Sequence, residues 1–406
     1  MKVTLTVSAG PHLGQSFAFE QHDTFLVGRG EDVHFRLPDD PSLSRKHFLV
    51  EVNPPLCRIQ DLKSRTGTRV NGLKVESAEL KHGDIIQAGQ TAFQVAVDRA
   101  EEFDPNATVE PLTTAQHEPA FAGHMEDGFP HVPKYEVRRE IARGGMGAVY
   151  EAVRRADGLV VALKTLAPAV SPTRLAVERF LREARILQDL HHEHIVTFYE
   201  MGEVNRLLWF AMEFVPGMDA SRHVKQHGPM EVGEACRIEL QLLDALIYAH
   251  AKKFVHRDIK PGNLLLAPGA DGRLAVKLSD FGLARTYQAS QLSGLTITGT
   301  SGGTPLYMAS EQVRNFRNVK PPADQDSAAA TLYFLLTGQP ILDATGESVS
   351  VMLRVLEGEL VPVRKRRATV PDGLAQVIHR ALSRYPEDRF PDVHAFAKSL
   401  KPFAAG

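Results

Sequence analysis

The chain has 406 residues, 43% hydrophobic and 24% charged, with a formal net charge of −2. The length suggests two or three domains and the composition an ordinary globular protein with material for a sizeable core. So balanced a charge excludes, on bulk electrostatics, a protein built to coat nucleic acid or a membrane surface.

In chain order, residues 1–98 read as β. MKVTLTVSAG alternates like a strand and lacks the apolar core of a signal peptide. The alternating segments KVTLTV, FLVGR, HFLVEV and FQVAV are separated by turn signals such as PHLG, NPP, VNG and KHGD. That spacing predicts a sandwich. From residue 99 to 133 the periodicity stops and prolines 105, 111, 119, 130 and 133 recur among threonines and acids, the composition of a linker. From Lys134 three strands are expected, with tight turns between them. LAVERFLREARILQDLHH then carries apolar residues at helical spacing. Strands follow around LLWFAMEF, and after Pro229 the pattern is mainly helical. A small β-rich lobe (134–212), a hinge (213–217) and a larger helical lobe (218–403) result. The run Ala328–Leu336 is too short to span a bilayer. Cys57 and Cys236 fall in different domains, which argues against a disulfide framework and for a cytoplasmic protein.

Within the first lobe, IARGGMGAVY (Ile141–Tyr150) is the form of a loop laid over phosphates. Gly144, Gly145 and Gly147 let the backbone approach closely and point N–H groups outward. Ala142 stands where such loops usually begin with glycine; it limits backbone freedom but removes no donor. Alone, such a loop is weak evidence, since glycine turns are common. Its company decides. VALK places Lys164 on the following strand, Glu183 sits in RFLREARIL, and HRDIKPGNLLL and SDFGLA follow. In this order the chain, from about Tyr135 to Leu400, resembles the protein kinase superfamily. HRDIKPGN is similar to the serine/threonine branch, and GGMGAVY and YMASEQ to bacterial eukaryotic-like kinases.

The resemblance implies a two-lobed α+β kinase fold and a task for each residue. Phosphoryl transfer needs positioning and charge neutralisation. Lys164 would hold the α- and β-phosphates of ATP, and Glu183 would hold Lys164. Asn263 and Asp280 would bind magnesium or manganese. Asp258 would orient the attacking hydroxyl or accept its proton, with Lys260 near the γ-phosphate. Ile141, Val149, Ala162 and Leu265 would line the adenine pocket, Met212 its back wall, and backbone groups of Glu213 and Val215 would read the base edge. His256 would pack beneath Phe281, and Asp324 would brace the catalytic loop. Isolated, a Lys–Glu pair is a salt bridge and Asp-Phe-Gly a turn; five elements in the required order outweigh those plainer readings.

One further position departs from the family. MASEQ has Ser310 where the family has proline, yet Glu311 and its expected ion-pair partner Arg389 remain. Between Gly282 and Glu311, Thr296 and Thr298 precede the Gly303-Thr304-Pro305 turn. They are the candidate autophosphorylation sites, and a phosphate there would pair with Arg257.

In the first domain, FLVGRGEDVHF, LSRKHFLV and DLKSRTGTRVNG resemble the forkhead-associated (FHA) domain, an all-β sandwich that binds phosphothreonine peptides. The resemblance implies phosphate contacts from Arg29 and Ser44, with help from Arg45, and a structural role for His47. Thr66 stands where the family has a peptide-anchoring asparagine, which changes affinity or preference. The partners so implied are protein substrates and phosphothreonine peptides, including the chain's own segments around Thr108, Thr113 and Thr114, with no nucleic acid and no membrane segment in this chain. The run RKRR (364–367) reads as a solvated face more than a dock for an acidic partner. A non-catalytic scaffold is the first rival reading, against which the intact Lys164, Asp258, Asn263 and Asp280 stand. A small-molecule kinase is the second, against which the activation segment stands.

Overall fold

The alternation in KVTLTVSA makes strand β1 (Lys2–Ala9), with Val3, Leu5 and Val7 buried on one face. The computed structural model describes residues 2–19, 23–31, 33–53, 56–98, 125–126, 129–144, 147–166, 185–204, 207–269, 271–281, 305–314, 319–343, 348–358 and 360–405. The chain divides into two units: Met1–His131 with Val204–Leu207, and Val132–Glu203 with Leu208–Gly406.

In the first unit β1 is followed by β2 (Ser16–Phe19), β3 (Asp23–Gly28), β4 (Phe35–Arg36), β5 (Phe48–Asn53), β6 (Leu56–Asp61), β7 (Thr68–Val70), β8 (Leu73–Val75), β9 (Ser77–Glu79), β10 (Ile85–Ala88) and β11 (Thr91–Asp98). One sheet runs β2-β1-β11-β10-β7-β8 and the other β4-β3-β5-β6-β9. Their inner faces share one core, with Phe48 and Phe93 edge to face at 5.5 Å. The expected all-β sandwich therefore forms. Asn71 and Gly72 both have positive φ, +51° and +83°, which is the two-residue hairpin turn that matches strand twist between β7 and β8. A short pair, β12 (Met125–Glu126) and β13 (Phe129–Pro130), precedes the second unit.

The second unit opens with β14 (Tyr135–Gly144), β15 (Gly147–Arg154), β16 (Val160–Leu166), β17 (Phe198–Val204) and β18 (Leu207–Glu213), in the sheet order β14-β15-β16-β18-β17. The helical reading over residues 175–192 is described only from Arg185, where Arg185–Asp189 is a 3-10 turn. Then come β19 (Met218–Asp219), α1 (Ala220–His227), α2 (Val232–Ala251), β20 (Leu264–Pro268), β21 (Leu274–Leu278), α3 (Ser310–Arg314), α4 (Pro321–Thr337), α5 (Ser348–Glu357), α6 (Val363–Arg366), α7 (Asp372–Ala381) and α8 (Val393–Leu400). Helix α4 starts on a Pro-Pro pair, stops at Gly338 in the left-handed region, and is buried nearly all round. Its polar residues Asp324, Gln325 and Asp326 survive burial because each meets a partner from a distant segment. Among the described residues no helix is long and apolar enough to cross a membrane.

In RKRR, Arg364 and Lys365 stay exposed, and each of the three arginines has a partner. Arg364 meets Asp372, Arg366 meets Asp343 at 2.6 Å, and Arg367 donates to the carbonyls of Met230 and Leu336.

Candidate functional site

The glycine loop joins β14 to β15 with Ala142 opposite Val149 and Gly144 opposite Gly147. A Cβ on Gly147, at φ +142°, would stand 1.8 Å from the carbonyl oxygen of Thr165, so only glycine lets β15 lie against β16 there. Ala142 lies within the strand. On β16, Lys164 Nζ donates to Asp280 Oδ1 at 2.6 Å. Ala162 pairs with Met212, and Met212 packs in an apolar cluster against which Val215 and Leu265 also rest. Ile141 and Val149 are half-buried on β14 and β15. The Glu213 carboxylate is fixed by Lys277 at 2.9 Å and by the N–H of Thr197 at 3.0 Å, so the hinge is anchored at its first residue.

After α2, the loop His256–Asn263 rests on Asp324 of α4. That carboxylate accepts the N–H groups of His256 and Arg257 and the ring of His250, each at 2.8 Å. Asp258 is held from two sides: Lys260 Nζ at 2.9 Å and Asn263 Nδ2 at 3.0 Å. Arg257 (φ +70°) and Asp280 (φ +62°) hold backbone conformations unusual for non-glycine residues, kept in place by these surroundings. The N–H of Asp258 donates to His256 Nδ1 at 3.2 Å, so the neutral ring carries its proton on Nε2 and donates it to Ser279 O at 3.0 Å. Phe281 packs edge-on at 4.5 Å. Burial lowers the His256 pKa against the pull of nearby carboxylates. A neutral ring engaged at both nitrogens is a bracket between two loops.

Asp280 sits beside Asn263 because Ser279 donates both its N–H and its hydroxyl to Asn263 O, at 2.9 and 3.1 Å. Burial works to raise the Asp280 pKa, but Lys164, then Lys260 and His256, hold it below the usual carboxylate range. Asn263 Nδ2 is occupied by Asp258, so its oxygen is the atom it can offer a cation. A carboxylate and an amide oxygen are hard donors that suit magnesium. Arg257 Nε is buried without a partner among the described residues. Further along, Arg389 clasps Glu311 with bonds of 2.6 and 2.9 Å. The Ser310 hydroxyl donates to Arg384 O at 2.9 Å, a tether where proline would supply stiffness.

In the sandwich, one loop cluster gathers Arg29, Ser44, Arg45 and Thr66. The N–H of Arg29 donates to Ser44 O at 3.1 Å, and the N–H of Gly30 to Arg45 O at 2.9 Å. Ser44 Oγ accepts from the N–H of Arg65 at 3.0 Å, and Thr66 Oγ1 donates to Ser42 O at 3.4 Å. The Arg29 and Arg45 side chains are exposed. Buried His47 repeats the construction of His256: it accepts from Ser44 N–H at Nδ1 (3.1 Å) and reaches Gly67 O through Nε2 (3.3 Å). Burial lowers its pKa, with Gly67 and Asp61 opposing.

Gly145, Glu183, Thr296, Thr298, Thr304 and the linker threonines 108, 113 and 114 lie outside the described residues. Sequence reasoning missed Arg65, exposed beside Ser44 and flanking Thr66; His250 beneath the catalytic loop; and Lys277 on the hinge glutamate. Arg65 had a local signal, a third arginine beside the loops that carry Arg29 and Arg45. The other two had none, being far along the chain from their partners.

The protein kinase domain model matches residues 135–399 and the FHA domain model residues 25–89. The serine/threonine-protein kinase PkaA of Streptomyces coelicolor is 34% identical over 284 residues, 67% of this chain and 50% of that protein. The chain spans about half the length, or less, of the curated relatives it matches. The crystal structure of the Mycobacterium tuberculosis PknI kinase domain is 29% identical with a TM-score of 0.53, over 67% of this chain and 97% of that one. The crystal structure of Rad53 1–466 in complex with AMP-PNP is 21% identical with a TM-score of 0.55 and covers both chains in full, a likeness of fold.

Proposed function

The chain belongs to the protein kinase family and carries an FHA domain ahead of its kinase domain, and from that premise we propose an ATP-dependent serine/threonine kinase whose FHA domain recruits phosphothreonine peptides. The observation that carries the proposal is the catalytic loop. Asp258 is gripped by Lys260 and Asn263 over the Asp324 post, and Asn263 is joined through Ser279 to Asp280 and its Lys164 partner.

In this reading ATP lies under the glycine loop. Ile141, Val149, Ala162 and Leu265 enclose the adenine before Met212, and backbone groups of Glu213 and Val215 meet the base edge. Lys164, with Glu183 as its further partner, takes the α- and β-phosphates. Asp258 receives the proton of a serine or threonine hydroxyl as the new O–P bond forms and the bond to the departing ADP oxygen breaks. Lys260 offsets charge at the γ-phosphate. Asn263 and Asp280 would hold magnesium or manganese, which supplies charge neutralisation when bound. His256 brackets, Asp324 braces, and Glu311 with Arg389 closes the activation segment. The buried Arg257 Nε, without a partner among the described residues, suits a phosphate on Thr296 or Thr298, which makes these the autophosphorylation sites we favour.

For the FHA domain, Arg29, Ser44 and Arg45 receive the phosphate. Thr66, whose hydroxyl is turned to Ser42 O, gives a weaker backbone anchor than asparagine. We assign the domains as 1–98, 99–133 and 134–403. Two free, buried cysteines support a cytoplasmic setting for these domains.

Incubation with labelled ATP and Mg²⁺, wild type beside Asp258→Asn, tests the proposal. Incorporation lost in the variant supports it. No incorporation by the wild type, with ATP binding retained, would favour a phosphopeptide-binding scaffold.

A further inference from the structure

The segment HHEH (His191–His194) lies against α2 and takes no part in the phosphoryl-transfer reading. His191 N–H donates to the Tyr248 hydroxyl at 3.0 Å, and His192 Nε2 stands 3.3 Å from Asp244 Oδ2. A ring nitrogen of His194 and one carboxylate oxygen each from Glu193 and Asp244 all fall within 4.8 Å of one another. Two further observations prepare these groups for a cation. The His194 ring meets Val276 O through Nδ1 at 3.1 Å. A carbonyl only accepts, so the proton is on Nδ1 and the lone pair is on Nε2, the arrangement a metal-bound histidine needs. The His194 N–H donates to His192 Nδ1 at 3.1 Å. The neutral His192 ring therefore carries its proton on Nε2 and presents it to Asp244, as an outer partner orients a ligating carboxylate. His194 and Asp244 also line an open groove of about 690 Å³, with His394 on the same groove.

We propose that Glu193, His194 and Asp244 form a second metal site, outside the catalytic cleft, for a divalent transition-metal ion of the zinc class, tying HHEH to α2. The imidazole decides the class. Magnesium and calcium take oxygen sets, whereas one nitrogen with carboxylates suits zinc. Two carboxylates offset the charge of the ion. Three protein ligands leave a fourth position to water or to His394.

The test is zinc titration of the full, metal-stripped chain by calorimetry, in an Asp280→Asn background that disables the catalytic cation site. One equivalent should bind, and affinity should fall at least about tenfold in His194→Ala and in Asp244→Asn. His223→Ala, on a separate histidine pair of α1, should leave it unchanged. Cobalt in place of zinc should give tetrahedral d–d absorption that His194→Ala abolishes. His194→Ala also loses the Val276 contact, so Glu193→Gln serves as the variant on an exposed side chain. It should weaken zinc with an unchanged thermal melt. Equal zinc affinity in wild type and all three site variants, or millimolar magnesium displacing zinc stoichiometrically, would overturn the proposal.

Discussion

Asp40 in the first unit and Glu239 in the second are equally closed to solvent, yet they end in opposite states. Asp40 accepts from the N–H groups of Ser42 and Gln90 and from the Thr91 hydroxyl. Burial pushes its pKa up, but those bonds outweigh it and hold it below the usual range. Neither oxygen of Glu239 meets a donor among the described residues, and burial alone pushes its pKa well up. At Asp40 the partners outweigh burial, whereas Glu239 is packed far deeper and its burial goes unopposed. The same contrast separates the two candidate sites. In the cleft Lys164 is matched to Asp280 and Lys260 to Asp258. At the sandwich loops Arg29 and Arg45 are exposed with no side-chain partner among the described residues. A transferase must hold its charges in register, whereas a reader of phosphate keeps its cations open for the ligand.

The sharpest break of this comparison is a pair of variants that should act on one site each. Asp258→Asn should cut phosphoryl transfer by about 10²–10⁴-fold, the range for loss of a positioned base. Binding of a phosphothreonine peptide should not change. Arg29→Ala should do the reverse. Loss of a charge-assisted bond, about 1.5–3 kcal/mol, weakens the peptide roughly 10–100-fold by fluorescence anisotropy. Transfer to an unphosphorylated substrate should hold. If Arg29→Ala left peptide affinity intact, the open cations would not be the phosphate contacts.

How much of this was legible follows from chain distance. HRDIKPGN brings Asp258, Lys260 and Asn263 within one short loop, so its grip was readable as a motif. The inward faces of β1 were readable because Val3, Leu5 and Val7 alternate. Lys277 on Glu213 and His250 on Asp324 were not, since tertiary packing joins them across 64 and 74 positions. The apolar spacing over residues 175–192 suggested helix, of which the described residues hold only Arg185–Asp189, a 3-10 turn. RKRR reads as a solvated face, which holds for exposed Arg364 and Lys365, but nothing nearby in sequence shows Asp343, Met230 O or Leu336 O, to which Arg366 and Arg367 turn.

A smaller effect tests the buried carboxylates. Asp40→Asn replaces an acceptor of three hydrogen bonds with a group that accepts fewer, and should cost about 1–3 kcal/mol in a urea melt. The folded pKa of Asp40 is lowered. Its contribution is therefore present above the ordinary aspartate value and lost as pH falls through the folded one. His47 and His256, also lowered, add a loss that begins as pH falls below the ordinary value of 6.5, where only the unfolded chain takes up their protons.

Glu239→Gln should move stability the other way, and least. The folded pKa of Glu239 is raised, so its contribution is full below the ordinary value of 4.5 and is lost as pH rises towards the folded one. Over that window the unfolded chain releases a proton that the folded chain keeps. Glutamine has no proton to release, so the variant should lose this alkaline slope and equal or exceed the wild type at pH 8 by up to about 1 kcal/mol. The amide stays polar and buried, which keeps the gain small. A pH series of urea melts on the full chain reads it directly. If Glu239→Gln instead cost stability at pH 8, as Asp40→Asn should, then the Glu239 carboxylate has a donor and the contrast between the two acids fails.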